Sequence, residues 1–152
     1  MKNVGNNKKG FTIIEVVLVL AIAGLIFLIV FLAVPALQSN RRDTQRRSDL
    51  GRFTAQLENF AANRNGNYPA NQADLDNFVD DYMDDFRDPS TGNDYDATVT
   101  TGMPGDEGEI SYARSRRCNA NNDGFDTAAG NRNVAVATFL ENGGVYCQDN
   151  SQ

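Results

Sequence analysis

The sequence has no histidine and no tryptophan. Without histidine the chain lacks the commonest general base and the commonest metal ligand. It has no G-x-S-x-G and no P-loop, so no nucleophile–base pair can be assembled, and an enzyme is not expected. Cysteine is scarce as well, with only Cys118 and Cys147. Positive charge is scarce over most of the length. Beyond Arg52 the chain holds six basic residues against seventeen acidic ones, inside a formal net charge of −6. Such a body is poorly suited to wrapping a nucleic-acid duplex, whose phosphates need a positive field.

What the sequence does have is one long apolar run. From Val16 to Leu37 there are twenty-two residues without a charge. At about 1.5 Å per residue they cross the ~30 Å hydrocarbon core of a bilayer. A body of about 100 residues has no room to hide such a rod. A secretory signal would have a shorter apolar region, ~7–15 residues, followed by a small-residue cleavage site. The run instead continues to Leu37, and up to Arg52 eight Lys/Arg outnumber three acids.

Glu15 stands at the start of that run. An ionised acid at a bilayer centre costs about 2.5–3.5 kcal/mol on insertion scales, and less near an end, so it calls for a partner. Lys8 and Lys9 are one candidate pair. A new amine on Phe11, created by cutting after Gly10, is another, and a helix N-terminus itself favours a nearby anion. Glycine before the scissile bond lets an extended backbone approach a peptidase.

The stretch Lys8-Lys9-Gly10-Phe11-Thr12-Ile13-Ile14-Glu15, abutting a long aliphatic run, resembles the leader of type IV pilins and pseudopilins. The resemblance implies removal of residues 1–10 by a prepilin peptidase after Gly10 and N-methylation of Phe11. It also implies an assembly role for Glu15, facing the amine of a neighbouring subunit, with the carboxylate acting as a register device in a helical homopolymer. Implied partners are further copies of the chain, the peptidase, the pilus assembly machinery and the cytoplasmic membrane before assembly. Implied roles are adhesion, twitching motility or DNA uptake on a surface filament. The alternatives are a type II secretion pseudopilin, a minor pilin that binds DNA or a surface, and an anchored domain that never assembles.

Orientation is contested between two signals. Lys2, Lys8 and Lys9 precede the span, while Arg41, Arg42, Arg46, Arg47 and Arg52 follow it. The positive-inside count alone favours a cytosolic body. The leader resemblance and the cysteines favour a body outside, which is the placement adopted.

The expected fold is α+β. A long N-terminal helix packs its second half on an antiparallel head of three to four strands. A helix from Phe11 to about Arg64 would be ~80 Å long. Residues 11–37 form the membrane or filament-core part, 38–64 the amphipathic continuation and 65–152 the head. Gly24 and Pro35 interrupt the apolar run, and Pro35 is expected to weaken or kink the helix. Asp43 and Arg47 are spaced i,i+4 and support it. Leu50, Phe53, Leu57, Phe60 and Ala61 make one apolar stripe, and Asn65-Gly66 ends the helix. Asn71 to Phe86 reads as a short helix with an acidic outer face, and residues 88–95 read as a turn cluster. Strands are expected at Tyr95–Thr100, Glu109–Arg114, Asn133–Leu140 and Gly144–Cys147, the third covered on one face. A hairpin turn is expected at residues 141–144.

Two cysteines in an exported domain suggest one bridge, Cys118 to Cys147. It also resembles the C-terminal disulfide loop of many pilins. Asn119, Asn121, Asp123 and Gly124, with Asp126 nearby, mimic the first half of a calcium loop. The first position is neutral, however, and the twelfth is Gly130, so an Asn/Gly-rich turn is the preferred reading and no cofactor is expected. Arg114, Arg116 and Arg117, near Tyr112, form the head's basic cluster. They could touch DNA phosphates or stack on bases, though an ion pair between subunits is preferred. The Arg41–Arg47 belt is complementary to the acidic head and could dock neighbouring subunits.

Overall fold

The computed structural model describes residues 10–126 and 130–151. The leader residues before Gly10, including Lys2, Lys8 and Lys9, lie outside the described residues. The order of elements is α1 (Ile13–Asn63), α2 (Gln72–Tyr82), β1 (Asp96–Val99), β2 (Glu109–Arg114), β3 (Val134–Phe139) and β4 (Val145–Asp149). The chain divides into two units, one up to Gln38 and one from Ser39 onward.

Among the described residues, the first unit is the apolar part of α1 from Ile13 onward, preceded by the non-helical residues 10–12. It is apolar all round, and such a helix is stable only when its whole surface is covered by lipid or protein. From Ile13 to Leu37 every large apolar side chain stands open, the least exposed being Val34 at 41 %. Among the described residues, α1 is the one helix long and apolar enough to cross a membrane. Helical structure runs through Gly24 and Pro35 without a break. A proline removes one intrahelical bond, and the flanking turns evidently hold the conformation.

The second unit is α+β. Its core forms where the amphipathic stripe of α1 meets α2 and one face of the sheet. Leu50, Phe53 and Leu57 are fully buried there. Aromatic rings join the layers. Phe53 meets Phe78 edge-on at 5.0 Å and stacks on Phe86 at 5.5 Å, and Phe86 meets Tyr95 at 4.5 Å. Asn65 and Gly66 take left-handed φ values of 56° and 81° and close α1, with Gly66 N donating to Ala61 O at 2.7 Å. The side chain of Asn71 caps α2 by accepting from Asp74 N at 3.0 Å. α2 buries Leu75 and Phe78. It ends at Tyr82, short of the expected Phe86, because Met83 leaves helical geometry and Asp85 takes a φ of 47°.

The sheet order is β1-β2-β3-β4. The expected antiparallel sheet is corrected at one edge: β1 and β2 are parallel, in register from Asp96↔Glu109 to Val99↔Tyr112. Apolar alternation reports which face a residue occupies and carries no strand direction. β1 is only four residues long, so the chain returns to its start through residues 100–108 instead of turning a hairpin. The exposed edge of β1 is occupied by a side chain. Gln72 accepts from Val99 N at 2.8 Å and donates to Ala97 O at 2.7 Å, filling the place of a further strand. β3 pairs antiparallel with both β2 and β4. The β3–β4 turn closes through Leu140 N to Gly144 O at 3.0 Å, with Gly143 and Gly144 at φ 85° and 106°, a region open mainly to glycine.

β3 also departs from expectation. It was expected to be covered on one face, and it is buried on both. Val134 and Val136 enter the main core, while Ala135 and Ala137 pack with Cys147 under Cys118 and Phe125. The second cover is the cysteine loop. Small alanines on that side leave room for it.

Candidate assembly site

At the start of α1, Glu15 turns its carboxylate back along the chain. Its Oε2 accepts from Thr12 N at 3.4 Å and from the Thr12 hydroxyl at 3.2 Å. Thr12 O meanwhile accepts the first helical bonds, from Glu15 N and Val16 N. Thr-x-x-Glu is the spacing of a capping box, in which the acid satisfies an orphan N–H at the helix start. The sequence reading fixed on the acid and missed the threonine, although the spacing of the two was visible. Among the described residues Oε1 takes no hydrogen bond, so one oxygen remains for an external donor. Phe11 is 87 % exposed and lines a shallow recess with Glu15, Val16, Val19 and Leu20. Gly10 is exposed, and a Cβ there would meet nothing within 4 Å.

The basic belt after the span behaves differently from expectation. Arg46 is 1 % exposed and is the centre of a buried ion network. Its Nε donates to Asp88 at 2.6 Å, while its other nitrogens donate to Asp43 at 3.1 Å, Ser90 at 2.7 Å and Glu107 at 3.0 Å. Asp43 also accepts from the backbone N–H groups of Glu141 and Asn142 at the β3–β4 turn, at 2.8 and 3.2 Å. Arg42 donates to Glu141 at 2.6 Å. Asp43 and Arg46 therefore tie this part of α1 to the turn at residues 88–91 and to the β3–β4 turn together.

Burial disfavours the Asp88 carboxylate, but the Arg46 guanidinium, the Ser90 hydroxyl and the backbone N–H groups of Thr91 and Ser90 outweigh it, holding the acid well below the usual carboxylate range. Arg46 is likewise opposed by burial and pushed above its ordinary value by Asp88, Glu107 and Asp43. Among the described residues no buried side-chain nitrogen or oxygen lacks a partner.

Two expectations are corrected here. Asp43 pairs with Arg46 and not with Arg47, which lies over the Tyr146 ring at 4.9 Å. Arg42 and Arg46 pair with acids of their own head, while Arg41 and Arg47 of the same belt stay exposed and outside any ion pair among the described residues. Nothing in the turn-like sequence around Asp88 signals a buried arginine's counter-ion, which is why the sequence reading passed over it.

Cys118 and Cys147 are joined by a disulfide. Asp149 supports that region by accepting from Cys118 N at 2.9 Å. The Asn119 loop closes on itself. Asn119 Oδ1 accepts from Asn121 N and Asp123 N at 3.2 and 3.1 Å, and its amide donates to Asp123 at 2.6 Å. That arrangement turns an amide N–H, and not an oxygen, toward the acid, while Asp126 N donates to Arg117 O. Among the described residues no group of three or more acidic or cysteine side chains is placed to hold a metal. The three arginines diverge in use. Arg116 donates to Asp126 O at 3.1 Å and Arg117 to Asn133 at 3.3 Å, whereas Arg114 lines a recess beside Arg64 and Tyr68.

Residues 5–31 match the prokaryotic N-terminal methylation motif, the signal motif of type IV pilins and pseudopilins. The match covers Gly10, Phe11, Thr12 and Glu15 and most of the apolar run. No curated protein and no solved structure matches the chain. The chain thus carries the signal motif of type IV pilins and pseudopilins at the start of a helix long and apolar enough to cross a membrane.

Proposed function

We propose that this chain is a pilin. A prepilin peptidase cuts it after Gly10, the new N-terminus at Phe11 is methylated, and copies polymerise through their apolar helices into a type IV pilus on the cell surface. The observation that carries this reading is a helix exposed on every side, directly behind a methylation motif. Such a surface is covered first by lipid and then by other copies, and the protein's work is structural, not catalytic. Within a packed bundle the Glu15 carboxylate is stable only if paired. The Phe11 amine of a neighbour supplies the charge, at the oxygen that Thr12 leaves open. The head stands outside the cytoplasm, where the disulfide persists.

Glu15→Leu tests the reading. It removes the charge and adds apolar area, so membrane insertion is retained or improved, while the yield of sheared filaments collapses. Normal yield would contradict it. The same motif serves pseudopilins of type II secretion, and that reading is favoured if overexpression gives no long sheared filaments or if assembly strictly requires calcium. No cofactor is invoked for the pilus itself. A DNA-capturing minor pilin would show a gel shift lost on substitution of Arg114, Arg116 and Arg117.

A further inference from the structure

With Arg42, Arg46, Arg52 and Arg87 paired inside the head, seven described arginines remain outside any ion pair. Arg64 and Arg114 stand out. Neither takes part in an ion pair among the described residues. Both line one recess of about 210 Å3, at the end of α1 and the end of β2, walled by Phe60, Tyr68 and Pro69. The Arg64 guanidinium rests on the Phe60 ring at 4.4 Å, which fixes its position without neutralising it. The recess holds one acid, Asp74, whose carboxylate already accepts from Ala70 N at 3.1 Å. Two guanidiniums against one carboxylate leave a net positive pocket with room for a short acidic side chain.

The same head carries the complement. Asp80, Asp81 and Asp84, on α2 and just past its end, are exposed and in no ion pair among the described residues. None of them lines the recess. A pocket and a complementary patch at different places on one molecule make a heterologous contact, which propagates into an open helical array instead of closing as a dimer.

We propose that the Arg64–Arg114 recess receives the Asp80, Asp81 and Asp84 face of a second copy of this chain, as a head-to-head contact of the filament. This rests on the polymerisation reading. Being solvent-accessible, the contact is screened by salt.

The test uses the full-length chain. Filament yield is measured relative to the leader-processed membrane pool, which discounts any loss of folded chain. Arg64→Glu with Arg114→Glu is expected to lower relative yield about tenfold, since like charges then face each other at every repeat. Asp80→Lys, Asp81→Lys and Asp84→Lys together do the same, and all five substitutions combined restore most of the yield. Wild-type yield from either reversal, or no recovery in the combination, overturns the proposal. Normal filaments that lose DNA retention overturn it too, and assign the recess to nucleic acid. A processed wild-type chain that makes no filaments at all instead overturns the polymerisation reading, and this contact with it.

Discussion

The two units of this chain solve opposite problems. The unit from Ser39 onward closes on itself: its core is filled, its buried polar side chains are all partnered among the described residues, and even its free sheet edge is capped by Gln72. The apolar half of α1 closes on nothing, with every large side chain from Ile13 to Leu37 exposed. The longer part of the sequence encodes intramolecular contacts, and the shorter part, on the proposed reading, contacts with lipid and with other copies. Substitutions in the head should therefore change stability, and those in the apolar helix should change assembly while leaving the head's stability alone.

The largest effect on the head should come from Arg46→Ala. It leaves Asp88 buried without its counter-ion, and breaking a buried pair from one side costs about 3–5 kcal/mol. Chemical denaturation of the detergent-solubilised chain would measure the loss, and a loss below 1 kcal/mol would mean that the network is dispensable. Phe53→Ala removes a ring that touches both Phe78 and Phe86, at a similar cost of about 3–5 kcal/mol. The double variant Cys118→Ser/Cys147→Ser frees a loop with a sequence separation of 29 and should cost about 3–4 kcal/mol. It should also loosen the cover over Ala135 and Ala137, readable as faster amide exchange in β3.

A pH titration sharpens the same contrast. Asp88, Asp149 and Glu141 are all held below the usual carboxylate range. A depressed carboxylate contributes stability that is fully present above its unfolded value, about 4, and is lost as pH falls toward its folded value. The head should thus be level in stability near neutrality and weaken progressively below about pH 4. Arg46→Ala should flatten that acid limb. The smallest effect expected is a gain. Gly51 lies inside α1, and an added Cβ would meet only Gln148, at 3.6 Å. Gly51→Ala should stabilise by about 0.8–1.0 kcal/mol.

Much of this was legible in the sequence. The stripe Leu50, Phe53, Leu57, Phe60 and Ala61 and the glycines of the β3–β4 turn follow from periodicity and local backbone preference, and both took their expected places. Long-range electrostatics were not legible. Arg46 and Asp88 are 42 residues apart, and spacing cannot show that a basic residue beside a membrane span is bound by its own head. Strand direction at β1 was hidden for a related reason, since alternation specifies a face and not a polarity. The part of the candidate site most open to reading was Glu15, because a carboxylate entering an apolar run is costly on its own terms. Its Thr12 partner was equally visible as a capping spacing.

Whether the leader is removed and the new amine methylated is read by mass spectrometry of the N-terminal peptide of the membrane-extracted protein. The expected mature chain begins at Phe11 with a methylated amine and contains no intact Gly10–Phe11 bond. A mature chain that retains residues 1–10 would contradict the proposed processing.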